Sequence, residues 1–250
     1  MAVRCPRVVH STPLGGVPGR LDTGNVRVQT KLVTMKDQGL PTWAVVVADQ
    51  RNSRRNLDLV PAALASLDNQ LGDRMVLPFE RTAGDEIQGL TRDPGAVVQA
   101  VLTLTRSPSW HLGIGLGAVQ LPLPGSTREA RGSAYLAGRD AIEQARRSPA
   151  HLRLIAAESV SAEPYGENEA ARQAEAVLVL LRALVSRRTS EGWEIMDVLD
   201  EVGSGQAAAR VLNITPSAVS QRASRAARGE SELGAEVATA LLATAMGVAP

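Results

Sequence analysis

The chain has 250 residues, 44% of them apolar, and a formal net charge of +1; this excludes a disordered polyelectrolyte and a uniformly basic protein, and allows one medium domain with a small second one. A single cysteine, Cys5, excludes an internal disulfide framework and a cysteine-based zinc site. Without an apolar run of membrane-spanning length or a signal-peptide core, no membrane partner and a cytoplasmic location are expected.

Residues 1–42 lack helical or strand periodicity and are dotted with Gly and Pro. They are expected to be disordered, or an untranslated leader if translation starts at Met35. Order should begin at "WAVVVADQRNSRR". Trp43 to Ala48 is apolar without alternation, as in a strand buried on both faces, and Asp49 sits where that strand leaves the core. Asn56 is a candidate cap for a helix carrying Leu57, Val60, Leu64, Leu67 and Leu71 at helical spacing.

Met75 to Phe79 and Ile87 to Leu90 are expected to pair as a β-hairpin with Gly84 at its tip and the carboxylates Asp85 and Glu86 beside it. Asp93-Pro94 starts a further helix carrying Val97, Val98, Val101, Leu102 and Leu104. "WHLGIGLGAVQL", Trp110 to Leu121, is a strand with glycines at positions 113, 115 and 117. Such glycines weaken a strand and imply that a ligand or a backbone passes close to one face. "GSAYLAGRDAIEQARR" then predicts a helix, and His151 to Glu158 a last strand. The order β-α-β-β-α-β-α-β contains a ferredoxin-like split βαβ arrangement in its first six elements.

Beyond Ser159 to Tyr165 strands stop and helices take over. Asn168 to Arg188, Trp193 to Val202 and Glu230 to Met246 are predicted helices. The first and last of these present Leu/Val faces that either form a dimer interface or fill the core of their own domain.

"GQAAARVLNITPSAVSQRASRAARG", Gly205 to Gly229, predicts a helix-turn-helix. Gln206 to Leu212 makes a short helix with small Ala209 inside. Asn213 tolerates the left-handed turn, Thr215 is an N-cap, and Pro216 suits the first helical position. The second helix buries Ala218 and Val219 against Leu212 and Ile214. Its exposed positions, Ser217, Ser220, Gln221 and Ser224, with Thr215 at the mouth, are hydrogen-bonding groups suited to base edges in double-stranded DNA. Arg210, Arg222, Arg225 and Arg228 are available for phosphates, since no Asp or Glu occurs between Glu201 and Glu230. The plain alternative is an αα-hairpin with solvated arginines.

Two carboxylates on loops at neighbouring strand ends can share Mg²⁺ and so hold a triphosphate, and Asp49 and Asp85 qualify. "VVVADQRNSRR", "RTAGDEIQGL", "LGIGLGAV" and "GSAYLAGRDAI" together resemble the SatD family of bacterial proteins. That family is itself similar to class III nucleotide cyclases and, more distantly, to GGDEF diguanylate cyclases. The resemblance covers about Trp43 to Ser148, and such proteins are often continued by a helix-turn-helix.

The resemblance implies that Asp49 and Asp85 are metal ligands. It implies a purine-nucleotide site that includes Arg81 at the base-selecting position, Gly84 and Glu86 of the turn, and Arg139 on the phosphates. Tyr135 replaces a ribose-orienting Asn, "QRNSRR" replaces small and apolar residues, and Ala83 replaces a second glycine.

The expected fold class is therefore α+β: a ferredoxin-like, nucleotide cyclase-like βαββαβ domain followed by an all-α helix-turn-helix domain. The expected division is 1–42 leader, 43–158 cyclase-like domain, 159–188 linker and connecting or dimerisation helix, and 189–250 helix-turn-helix with the C-terminal helix. The expected function is a homodimeric DNA-binding transcriptional regulator whose first domain senses a nucleotide with Mg²⁺. An active purine nucleotide cyclase and a ligand-free cyclase-like scaffold are the alternatives. The plain reading of Asp85, Glu86, Arg51, Arg54 and Arg55 is a solvated polar surface. The histidines at positions 10, 111 and 151 have no partner at metal-ligand spacing and are assigned no role.

Overall fold

The computed structural model describes residues 42–53, 55, 57–157 and 168–248. The expectations for residues 1–41, for Arg54 and the Asn56 cap, and for the boundary at Ser159 to Tyr165 lie outside these residues. What they describe is a mixed α+β structure with one five-stranded sheet and, among the described residues, eight α-helices.

The first strand, β1 (Trp43–Gln50), is buried along its whole length, as its unbroken apolar run demands. It lies at the centre of the sheet, antiparallel to β3 (Glu86–Thr91) on one side and to β4 (Trp110–Gly117) on the other. Strand β2 (Leu77–Ala83) pairs with β3, and β5 (Leu152–Ala156) runs parallel to β4, giving the order β2-β3-β1-β4-β5. The hairpin is longer than its apolar residues predict. Pairing runs through Arg81 and Ala83, because Gly84 at φ 56° turns the chain within two residues.

Even-numbered residues of β1 (Ala44, Val46, Ala48) face α1 (Val60–Leu71) and α2 (Pro94–Thr105), while Val45 and Val47 face α3 (Ser133–Arg147). Helix α1 starts later than its apolar spacing predicts. Pro61 lacks an N–H and fits the first turn, so Leu59 is the cap residue and Leu57 stays outside the helix, 81% exposed. Helix α2 begins as expected, with the Asp93 carboxylate accepting from Ala96 N–H at 3.1 Å.

The glycines of β4 have a packing role. A Cβ at Gly113 would lie 2.5 Å from the amide N of Ile142, and one at Gly117 would lie 2.6 Å from the amide N of Ala134. It is the backbone of α3, rather than a ligand, that passes close to this face.

The apolar core continues past residue 158. Helix α4 (Glu169–Val185) and helix α8 (Arg228–Met246) add Leu178, Leu181, Leu242 and Met246 to the cluster that holds Ala44, Val46 and Leu112. Burying such side chains contributes about 1.5–3 kcal/mol each. Glu175 of α4 accepts from Arg153 Nη1 at 2.8 Å and from Leu154 N–H at 2.7 Å, capping part of the open edge of β5. Helices α5 (Ser190–Val202), α6 (Gly205–Val211) and α7 (Pro216–Arg225) have a separate small core of Ile195, Met196, Ala208, Ala209, Val219 and Ala226. No helix among the described residues is long and apolar enough to cross a membrane.

Candidate functional site

The end of β1 is where polar chemistry meets the sheet. Pairing places Asp49 opposite Glu86 on β3 and opposite His111 on β4. Directly opposed residues share a face, so Glu86, Asp49 and His111 form a polar row on the α3 side. His151, just before β5, extends the row: its ring meets that of His111 edge-on, with centroids 4.9 Å apart. The hairpin turn folds over this end, since the Asp85 carbonyl accepts from Gln50 N–H at 3.1 Å.

Arg146, in the last turn of α3, reaches across the row. Its Nε donates to Asp49 Oδ2 at 3.0 Å, and its Nη2 lies 3.9 Å from Glu86 Oε2. The bond to Asp49, and then the charges of Asp49, Glu86 and Asp85, hold the guanidinium more firmly protonated than usual. A cleft of about 400 Å³ opens here, lined by Asp49, Arg51, Arg55, Asp85, His111 and Arg146 among others.

Two further arginines stand at this end. Arg51 lines the cleft and donates through Nη1 to the Pro108 carbonyl at 2.9 Å. Arg182 of α4, only 7% exposed, donates to the carbonyls of His151 at 2.6 Å and Trp110 at 2.5 Å. Burial, and then the charge of Arg51, push its pKa down to about 10. Burial is also the first cause that lowers the pKa values of His111 and His151, with Arg51 contributing to both.

The residues expected at a nucleotide site divide. Asp49 and Asp85 share the cleft, and Glu86 touches its Arg146. Gly84 forms the turn. Arg81 is tied to Asp58 at 2.6 Å and does not line the cleft. Arg139 is exposed on α3, seven residues and so roughly 10 Å along the helix axis from Arg146. Tyr135 lies further back still, its hydroxyl 3.2 Å from Thr127 Oγ1.

Arg146 belongs to no motif in the sequence; the one signal for it is that it continues the i+4 series Ala134, Gly138, Ile142 that faces the sheet. In this arrangement Arg146 is bonded to Asp49, one of the two expected metal ligands, and approaches Glu86.

The second candidate is the surface of α6 and α7. Thr215 Oγ1 accepts from Ala218 N–H at 3.1 Å, Pro216 sits in the first turn, and Asn213 takes φ 52° in the connection. Val219 is buried, while Ser217, Ser220, Gln221, Ser224, Arg225 and Arg210 are exposed. Ser220 Oγ is bonded back to the Pro216 carbonyl at 3.2 Å. Two of the four arginines meet acids from outside the acid-free stretch. Arg222 lies 3.7 Å from Glu194, and Arg228 lies 3.1 Å from Asp200 and 2.8 Å from Glu232.

The two regions are bridged. Arg51 N–H donates to Ser109 O at 2.7 Å, and three residues before Ser109 Arg106 pairs with Asp197 of α5 and covers one side of Trp193 at 4.6 Å. Arg188 lies over the same ring at 4.7 Å and donates to Ala226 O, just past α7, at 2.7 Å. Comparison of the chain with protein-family models, with curated proteins and with solved structures finds no match.

Proposed function

We propose that the protein is a DNA-binding transcriptional regulator of the cytoplasm, with α6 and α7 as its helix-turn-helix and α7 entering the major groove. The observation that carries this reading is the face of α7. Val219 anchors it on a small core, its start is capped by Thr215, and Gln221, Ser217, Ser220 and Ser224 project into solvent beside Arg225 and Arg210. Gln221 suits a bidentate contact to adenine, and Arg225 and Arg210 suit phosphates. Arg222 contributes once it leaves Glu194.

The strand order β2-β3-β1-β4 is compatible with a ferredoxin-like, cyclase-like domain of the SatD kind, and this supports a sensing role for the sheet. The ligand of that domain is a phosphate-bearing nucleotide taken up at the cleft by Arg146, Arg55 and Arg51. No step is assigned to a metal ion. Cyclisation is the weaker reading, because Arg139 stands away from Asp49 and Asp85.

The test is fluorescence anisotropy on double-stranded DNA selected from a random pool. Gln221→Ala should cost about 1–3 kcal/mol on the selected site, and Arg225→Ala should weaken all sequences alike and lower the salt slope by about one. Binding that ignores both substitutions would sink the proposal. For the cleft, ATP or GTP should raise the melting temperature of the wild type and leave that of Arg146→Ala unchanged.

A further inference from the structure

Helices α4 and α8 run antiparallel. Asn168 Nδ2 donates to Ala245 O at 3.2 Å at one end, Arg188 Nη2 donates to Ser231 Oγ at 2.6 Å near the other, and Leu181 packs at Gly234 between them. Both bury one face in the main core. The opposite face of the pair carries large apolar side chains where solvent would favour charge. Leu180 is 70% exposed, Leu233 64% and Val237 50%, and exposed Ala176, Ala183 and Ala240 surround them. Leu180 and Leu233 each lie one residue from the Leu181–Gly234 contact, so the three large side chains form one patch across the seam.

The charges at one end of this face are complementary but unmatched. Arg187, just past α4, and Glu230, in the first turn of α8, are both exposed. They lie at the level marked by the Arg188–Ser231 bond, and neither joins an ion pair among the described residues. A two-fold axis along the seam between α4 and α8 would place each α4 over the α8 of a second copy. Antiparallel packing is kept, Leu180 meets Leu233 and Val237 of the second copy, and Arg187 faces Glu230 of the second copy at both ends of the operation.

The geometry points to this face as an isologous dimer interface, with a second copy of the chain as its occupant. The patch carries both halves of its own complement, which a one-sided site for an unrelated partner has no reason to do. Helices of 17 and 19 residues are roughly 26 and 28 Å long. A face of that length and two helices wide is on the order of the ~800 Å² per partner that stable dimers bury. The inference does not depend on DNA binding and is tested without DNA.

The experiment is sedimentation velocity on the full chain, from about 1 to about 100 µM. The wild type should be a dimer in this range. Leu180→Glu and Val237→Glu should each raise the dimer dissociation constant at least about 30-fold, as loss of a central apolar anchor does. Far-UV circular dichroism should be unchanged, because both residues are exposed. Arg187→Glu and Glu230→Arg should each weaken the dimer several-fold, and the two together should restore it. A monomer throughout, a dimer indifferent to Leu180→Glu and Val237→Glu, or a double reversal no better than its single parents would each overturn the proposal.

Discussion

Gly115 is the position where one added methyl group should do the most harm. Helix α3 lies so close to β4 that a Cβ there would come 2.6 Å from Gly138 Cα, with the Gly138 amide N and the Ala134 carbonyl O nearer still. All three are backbone atoms, so no rotamer change relieves the clash. Ordinary contact begins at 3.4 Å, so clearing Gly138 Cα alone takes about 0.8 Å and clearing the two nearer atoms takes more; α3 must withdraw or β4 must bend. Withdrawal loosens Ala134, Ala141, Ile142 and Ala145, all buried under that helix. Overpacking of this kind costs typically 1–3 kcal/mol, and a rigid backbone clash puts Gly115→Ala near the top, at about 3 kcal/mol. For a domain of this size that is a fall of about 6–12 °C in melting temperature. Urea unfolding and calorimetry measure both. Gly125→Ala is the matched control: nothing lies within 4 Å of its added Cβ, and its stability should stay within about 0.5 kcal/mol of wild type. A Gly115→Ala protein equally close to wild type would refute the packing argument and return the glycines to the role of ligand clearance.

Two further outcomes are expected. His111 and His151 have pKa values lowered below their ordinary 6.5, by burial first. The unfolded chain therefore binds more protons near and below that value, so stability should fall as pH drops from about 7 to about 5. The variant His111→Gln/His151→Asn, with Asn chosen because position 151 has φ 51°, should show a shallower fall in urea titrations; an unchanged slope would contradict this. Trp193→Leu removes a ring that both Arg106 and Arg188 lie against, at an expected cost of about 1–2 kcal/mol. It should also hasten proteolysis within α5 to α7 relative to the sheet, and equal cleavage rates would show that the stack does not hold the three helices.

Local signals were strong in this chain. Asp93-Pro94, Thr215-Pro216 and Asn168 each stand at a helix start, and each accepts a bond from three residues ahead, the one at Thr215 being the cap expected there. The apolar run of β1 announced a central strand. The start of α1 was misplaced because Leu57 fits the helical spacing while Pro61 sets the first turn. The cleft was half legible: Asp49 and Asp85 follow from strand ends, but nothing local marks Arg146 as the residue that meets Asp49. The acid-free stretch around α7 suggested four unengaged arginines, and Glu194 and Asp200 from α5 engage two of them.

By itself the sequence determined the kinds of element, some of their starts and the two-part change from strands to helices. Those depend on hydrogen bonds and side-chain periods that span only a few residues. Tertiary structure alone decided that Arg146 meets Asp49 across 97 positions and that α3 fills the space the β4 glycines leave. It also decided that α4 and α8 share the sheet's core while Leu180, Leu233 and Val237 face outward. Such pairings depend on which faces the packed layers bring together, and no local spacing encodes that.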